Sequence, residues 1–302
     1  MAAAAGLGHA ASMQDTIALI GFGEAGSTFA RAGGWEAGAR VFDRKTDTAD
    51  AAAMRERYVE AGVEGAATLA EALSGRPLVL SLVTADQALA AAEAAAPHLA
   101  RGALYCDGNS VAPQTKQAAA RAVEAAGAHY VDLAILAPVD PARLAVPLLL
   151  SGGGAEAAAA ALAALGFQNL SIVGDTVGRA SSIKMIRSVM VKGIEALTAE
   201  CMLAAEAAGV RDAVLASLDA SERPRPWDAR ADYNLDRMMI HGLRRAAEME
   251  EVVKTLEALG TGAAMTRGTV KRQRAIGALG IGTPPEGLAP KLAAIEERTK
   301  SA

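Results

Sequence analysis

The chain has 302 residues, with 30 Lys+Arg against 34 Asp+Glu and a formal net charge of −4. It is 52% hydrophobic but only 3% aromatic, so its core must be assembled from Ala, Leu, Val, Ile and Met. A mildly acidic balance without a basic block argues against nucleic acid as a partner, and no uncharged apolar run reaches the ~18 residues of a membrane span.

Residues 1–13 are Ala-rich and lack the basic start of a signal peptide, so they are read as a disordered leader with Met13 as a candidate start. Short apolar runs then alternate with Ala-rich helical stretches. The strand candidates are 16–20, 39–43, 78–83, 103–106, 129–132, 146–151 and 169–173; the helices between them are 24–32, 48–60, 86–99, 113–126 and 155–165. This alternation predicts an α/β Rossmann-type doubly wound parallel sheet. From residue 181 the texture turns helical throughout, with helices at 182–208, 212–221, 229–259 (Gly242 a candidate break) and 263–278, then a turn-rich GIGTPPEGLAP and a short charged helix. The first of these is apolar nearly all round and is expected to be buried. The domains are therefore 14–177, a dinucleotide-binding Rossmann domain, and 178–302, an all-α C-terminal domain, with GDTVGR as the hinge. Cys106 and Cys201 lie in apolar segments and are expected as buried thiols in a reducing compartment, the cytoplasm.

The first strand runs directly into GFGEAG, which sets Gly21, Gly23 and Gly26 in G-x-G-x-x-G spacing with Phe22 and Glu24 between them. A strand before and a helix after are the context in which such a loop turns tightly, lets a pyrophosphate approach the backbone, and offers it a helix N-terminus. Asp43 follows about 20 residues on, at the end of the next strand, where a carboxylate meets ribose hydroxyls. It favours NAD, while Arg44 and Lys45 could accommodate the extra phosphate of NADP. DGNSVAP, at a later strand end, places Asn109 and Ser110 beside a helix start; it reads equally as a ligand-facing loop or as a helix cap. In SSIKMIRSVMVKGIEAL, helical spacing puts Lys184, Ser188, Lys192 and Glu195 on one stripe with Arg187 beside it. A partly desolvated lysine there could accept a proton near neutral pH. Asp107 and Asp132 read as strand-end caps. His9, His98 and His129 show no metal-ligand spacing, so no metal is expected.

These stations resemble the β-hydroxyacid dehydrogenase superfamily, which includes 6-phosphogluconate and 3-hydroxyisobutyrate dehydrogenases. IGFGEAG is similar to its cofactor loop, DGNSVAP to its first substrate loop, and GRASSIKMIRS to the start of its interdomain helix. The resemblance implies that Lys184 is the general acid/base of hydride transfer between nicotinamide and a small polar or anionic hydroxy acid. It also implies that SLVTADQ brings Val83 and Thr84 beside the nicotinamide ribose, and that Asn109, Ser110, Arg187 and Ser188 face substrate. His241, in RMMIHGLRRAAEMEE, is a further candidate for a substrate anion, and a homodimer is implied. The sequence departs from the family pattern at Arg187 and Ser188, where Asn or His and then Asn are usual, and after Asp132, where VDLAILAPVDPARL replaces a Val-Ser-Gly-Gly loop. Those departures leave room for an imine reductase on the same scaffold, or for a non-catalytic dinucleotide sensor. The segments KMIRSVMVKGIEAL and RMMIHGLRRAAEMEE further resemble a poorly characterised subgroup with its own C-terminal helical domain.

Overall fold

The computed structural model describes residues 17–221 and 224–301, so the leader expected at 1–13 lies outside the described residues. The chain divides into two compact units, Met1–Ser188 and Val189–Ala302.

In the first unit the elements run β1 (Ile17–Ile20), α1 (Glu24–Gly33), β2 (Arg40–Phe42), α2 (Ala51–Ala61), β3 (Glu64–Gly65), α3 (Leu69–Leu73), β4 (Leu78–Ser81) and α4 (Ala88–Ala95). They continue with β5 (Leu104–Asp107), α5 (Pro113–Ala125), β6 (His129–Ile135), β7 (Leu148–Ser151), α6 (Ala155–Ala164) and β8 (Leu170–Ile172). The strand order is β3-β2-β1-β4-β5-β6-β7-β8. β1 is buried at all four positions because helices cover both faces, which is why it reads as an unbroken apolar run. Its side chains alternate: Ile17 and Leu19 join a core with Phe29, Trp35 and Leu148, while Ala18 and Ile20 join another with Tyr105, Val123 and Tyr130.

Four features differ from the sequence expectation. The two-residue β3 and the five-residue α3 are too short to leave a periodic signal; α3 is set by Thr68, whose hydroxyl accepts from Glu71 N (3.1 Å), while Glu71 Oε2 accepts from Ala67 N (2.8 Å). The helix expected at 86–99 is only α4 between two 3-10 turns, the second containing Pro97. β6 extends to Ile135, because β7 pairs with it antiparallel from Asp132↔Ser151 to Ile135↔Leu148; every other neighbour pair is parallel.

The fourth concerns α7 (Arg179–Ala207), which begins in the first unit and ends in the second. It was expected to be buried, yet Ile186 and Val189 are 72% and 71% exposed, and Met190, Ile194 and Leu197 are exposed as well. Cys201, on the same helix, is exposed rather than buried. A helix apolar on nearly every side finds cover on only part of its circumference within one chain.

The second unit continues with α8 (Arg211–Ser221), α9 (Trp227–Ala258), α10 (Ala264–Gly277) and α11 (Leu288–Ser301). α9 passes through Gly242 unbroken. That glycine permits a close helix crossing instead: a Cβ there would lie 2.4 Å from Gln273 O of α10, and one on Gly277 would lie 2.5 Å from Leu243 N. The N-terminus of α10 is closed by Glu200, whose carboxylate accepts from Met265 N (2.9 Å), Thr266 N (2.9 Å) and Thr266 Oγ1 (2.6 Å). Burial raises the Glu200 carboxyl, but these hydrogen bonds outweigh it and hold the group below the usual carboxylate range. Lys291 ties α11 to two successive turns of α9, at 2.6 Å from Asp232 Oδ1 and 3.1 Å from Asp236 Oδ1. Among the described residues no helix is long and apolar enough to cross a membrane.

Cys106 lies in β5 and is fully buried; burial, with the neighbouring Asp107 charge, pushes its thiol up to about 12. The nucleophile is the thiolate, so iodoacetamide at pH 8 is expected to leave Cys106 unlabelled in the native protein and to label it after denaturation. Mass spectrometry of the modified peptides checks this, and native labelling at Cys106 contradicts its burial.

Candidate functional site

The glycine loop follows from strand geometry. Gly21 leaves β1 at φ +86, and a Cβ on it would lie 2.6 Å from Leu82 O and 3.0 Å from Val83 Cγ1. Only glycine lets the end of β1 lie against the end of β4, and this contact brings the loop beside Val83; Thr84 follows, exposed, before the next turn. Gly26 sits over the turn, 3.0 Å from Gly21 O by the same measure, whereas a Cβ on Gly23 would meet nothing within 4 Å. Gly23 caps α1, and the first N–H groups of that helix have no intrahelical acceptor. Open space over a glycine at a helix N-terminus is a cradle that fits a pyrophosphate. Glu24 is exposed at the start of the helix, while Phe22 is buried against Tyr58 with ring centroids 5.3 Å apart. Burial raises the Tyr58 hydroxyl well above its usual range, and the Asp43 charge adds to this.

Asp43 locks the loop to the end of β2. Its Oδ2 accepts from Phe22 N (2.8 Å) and its Oδ1 from Lys45 N (2.9 Å). A carboxylate has about four acceptor positions, so these two bonds leave capacity for ribose hydroxyls. Arg44 and Lys45 are exposed beside it, and the Arg44 guanidinium donates to Gln87 Oε1. Arg57, which sequence reasoning passed over, donates from α2 to Phe22 O (3.2 Å).

A second cluster crosses the sheet next to this loop. The registers Ser81↔Asp107, Asp107↔Asp132 and Asp132↔Ser151 align four polar side chains across β4, β5, β6 and β7, all fully buried. Lys116 of α5, also fully buried, places Nζ 2.9 Å from Asp107 Oδ1, 2.6 Å from Asp107 O and 3.5 Å from Asp132 Oδ1. Tyr130 OH donates to Asp107 Oδ2 at 2.5 Å, and burial followed by the Asp107 charge pushes this hydroxyl far above the ordinary phenol range. Asn109 is held on three sides: its N–H donates to Asp107 Oδ1 (2.9 Å), its Nδ2 to Ser81 Oγ (3.1 Å), and its Oδ1 accepts from Val83 N (2.6 Å). Ser110, the next residue, is exposed.

Asp132 does more than end a strand. Its Oδ2 accepts from Gly178 N (3.1 Å), Ser181 N (2.9 Å) and Ser181 Oγ (3.0 Å), so a buried carboxylate closes the N-terminus of α7. One turn along, Lys184 Nζ donates to Ser110 Oγ at 2.5 Å. Arg187 donates to Leu136 O (3.1 Å), in the segment that replaces the glycine-pair loop. Ser188 turns its hydroxyl back onto Lys184 O (2.8 Å). The first unit thus brings together Gly21, Val83, Asn109, Ser110 and Lys184 through direct contacts. His241 stands exposed on α9 in the second unit. Among the described residues no group of three or more His, Cys, Asp or Glu could hold a metal ion.

Comparison with known proteins accords with this geometry. The family described as the NAD binding domain of 6-phosphogluconate dehydrogenase matches residues 16–174, just over half of the chain. The chain belongs to that family. A conserved hypothetical protein from Sinorhizobium meliloti 1021 is 39% identical, over 95% of this chain and 98% of its own, with a TM-score of 0.59. A conserved protein of unknown function, described as similar in structure to 3-hydroxyacid dehydrogenases, is 28% identical over 86% of this chain and 96% of its own, with a TM-score of 0.56. An imine reductase from Myxococcus stipitatus, solved with NADP+, shares the fold at 20% identity and a TM-score of 0.72, over 93% and 99% of the two chains. Residues 205–276 match a domain of unknown function, DUF1932. The chain is thus an NAD(P)-binding Rossmann protein of the 6-phosphogluconate and 3-hydroxyacid dehydrogenase type with a helical C-terminal domain.

The family's cofactor loop supplies the first test. Gly21→Ala adds a methyl 2.6 Å from a carbonyl at a positive φ, which costs about 1–2 kcal/mol in conformation alone. It is expected to weaken NAD(P)H binding, measured by nicotinamide fluorescence, at least tenfold while the fold is kept by circular dichroism. Gly23→Ala, in open space, is expected to be milder in structure but still to impede the ligand.

Proposed function

We propose that the chain is an NAD(P)-dependent oxidoreductase in which Lys184 carries the proton that accompanies hydride transfer. The observation that carries this reading is the 2.5 Å bond from Lys184 Nζ to Ser110 Oγ, on a helix start fixed by Asp132 and a loop fixed by Asp107. A bound nicotinamide dinucleotide supplies or accepts the hydride. Gly21, Phe22, Gly23, Glu24, Gly26 and Asp43 would hold it, with Val83 and Thr84 at its nicotinamide end. As an ammonium, Lys184 gives a proton to the substrate heteroatom in reduction; as a neutral amine it takes one from a hydroxyl in oxidation. Asn109 and Ser110 orient the reacting group.

The substrate class favoured by the comparisons is a carbon–nitrogen double bond, since several solved imine reductases share this fold over most of the chain and the glycine-pair loop is missing here. The second reading, a small polar or anionic hydroxy acid, is supported by two cationic side chains, Lys184 and Arg187, on one face of α7, with Ser188 beside them. A positively charged iminium would be repelled by these cations, whereas a carboxylate would be attracted. Asp43 favours NAD, and the exposed Arg44 and Lys45 favour NADP.

A homodimer is part of this proposal. The apolar residues of α7 left exposed by one chain, Ile186, Val189 and Ile194 among them, form a face that a second copy would cover. Light scattering is expected to give twice the chain mass, and Val189→Asp to reduce it.

The deciding experiment offers cyclic imines with NADH and NADPH, and 3-hydroxy acids and sugar acids with both oxidised cofactors. Turnover on one arm assigns the substrate class. Lys184→Met is expected to lower kcat about 10²- to 10⁴-fold with cofactor affinity unchanged; normal turnover in that variant overturns the role of the lysine.

A further inference from the structure

The buried ion cluster lies behind the residues just assigned, and its Lys116 has so far been given no part in the proposed reaction. Lys116 is fully enclosed, yet it faces no solvent and no open cleft; its ammonium sits between two carboxylates on adjacent strands. Each carboxylate has a second task. Asp107 holds the Asn109 backbone, so it sets the loop that ends in Ser110. Asp132 holds Gly178 N and Ser181 N, so it sets the first turn of α7, three residues before Lys184. The only charged group in contact with both is Lys116, among the ion pairs of the described residues. The other titratable neighbours are Tyr130, which donates to Asp107, Tyr105, stacked on Tyr130 and pushed up by burial and then by the Asp107 charge, and Cys106, whose thiol stays protonated.

We propose that Lys116 is a positioning residue that fixes the separation of Ser110 and Lys184 by clamping Asp107 to Asp132. The inference rests on the proposed role of Lys184, which it deepens. Without the ammonium, two buried carboxylates face each other across neighbouring strands, and repulsion drives apart the strand-end loop and the helix start that they hold. Lys184 then loses its bond to Ser110 although neither residue has been altered. The glycine loop and Asp43, at the ends of β1 and β2, stay in place to hold the dinucleotide, and only its Val83 end borders the loop that moves.

The test uses Lys116→Met and the double variant Lys116→Met with Asp132→Asn, which removes one charge of each sign and keeps an amide oxygen to accept from α7. Three quantities are read in the full chain. They are the amide exchange rates of Gly178, Ser181 and Asn109, the titration midpoint of Lys184 followed by NMR of its labelled ε-carbon, and kcat and KM on whichever substrate the panel identifies. A misplacement of about 1 Å is expected to lower kcat ~10²-fold, with faster exchange at the three amides, a shifted Lys184 midpoint and an unchanged affinity for NAD(P)H. In the double variant the carboxylate repulsion is gone, so the three exchange rates, the Lys184 midpoint and kcat are expected to return toward wild type. If Lys116→Met leaves the three exchange rates and the Lys184 midpoint at wild type, or if the double variant stays as perturbed as the single one, the proposal is overturned. The exchange and titration arms need no substrate, so they decide the proposal even if Lys184→Met shows that the lysine is not the acid/base.

Discussion

Two carboxylates on neighbouring strands, shut away from water, are the constraint around which the first unit is arranged. Asp107 and Asp132 are in register across β5 and β6 and neither is exposed. Burying a charge without compensation costs several kcal/mol, so the surrounding chain must answer both. α5 contributes Lys116, β6 contributes the Tyr130 hydroxyl, and α7 contributes the N–H groups of its first turn. A purely apolar core of equal volume would be as stable or more so. What the charges add is direction, because each lone pair specifies where a loop or helix must begin.

The strand–helix alternation and the glycine loop were legible because they rest on local chemistry. An apolar run ending in G-x-G-x-x-G, followed by a helix and then Asp43, leaves few alternatives, and the contact of Gly21 with Leu82 supplies the reason for the first glycine. Lys184 and Ser110 could be placed near one another only through resemblance, since 74 residues separate them. The ion cluster was missed although a signal existed. Lys116, Ala119, Ala120 and Val123 share one helical stripe, and a lysine on an otherwise apolar stripe needs a buried partner. The partner was not legible, because strand register cannot be read from one sequence. Asp132 was understood as a strand-end cap; it lies inside β6 and caps a helix instead. The burial of α7 was misjudged for a different reason: hydrophobicity reports that a face needs cover, and does not report whether the same chain provides it.

The departures from the family pattern fall at one place in the structure. Arg187 reaches Leu136 O, in the segment that stands where the glycine pair is usual, and Ser188 is turned onto its own helix. Where the resemblance implies a glycine-pair loop, this chain has a backbone carbonyl that accepts from a cationic side chain. A Ser188 hydroxyl that donates to the carbonyl four residues earlier keeps its acceptor lone pairs but has no proton left to give. The glycine loop keeps the family pattern while the segment after Asp132 and the start of α7 depart from it, and one fold accommodates such differences at its site.

The anchoring of α7 also acts as a pivot. Its 29 residues span about 43 Å at ~1.5 Å per residue, and the Asp132 bonds grip only its first turn. A tilt of ~5° about that grip carries the far end through nearly ~4 Å but displaces Lys184, five residues in, by less than ~1 Å. Lys184 therefore lies where the lever arm is short, and a small tilt of the helix leaves its alignment with Ser110 nearly unchanged.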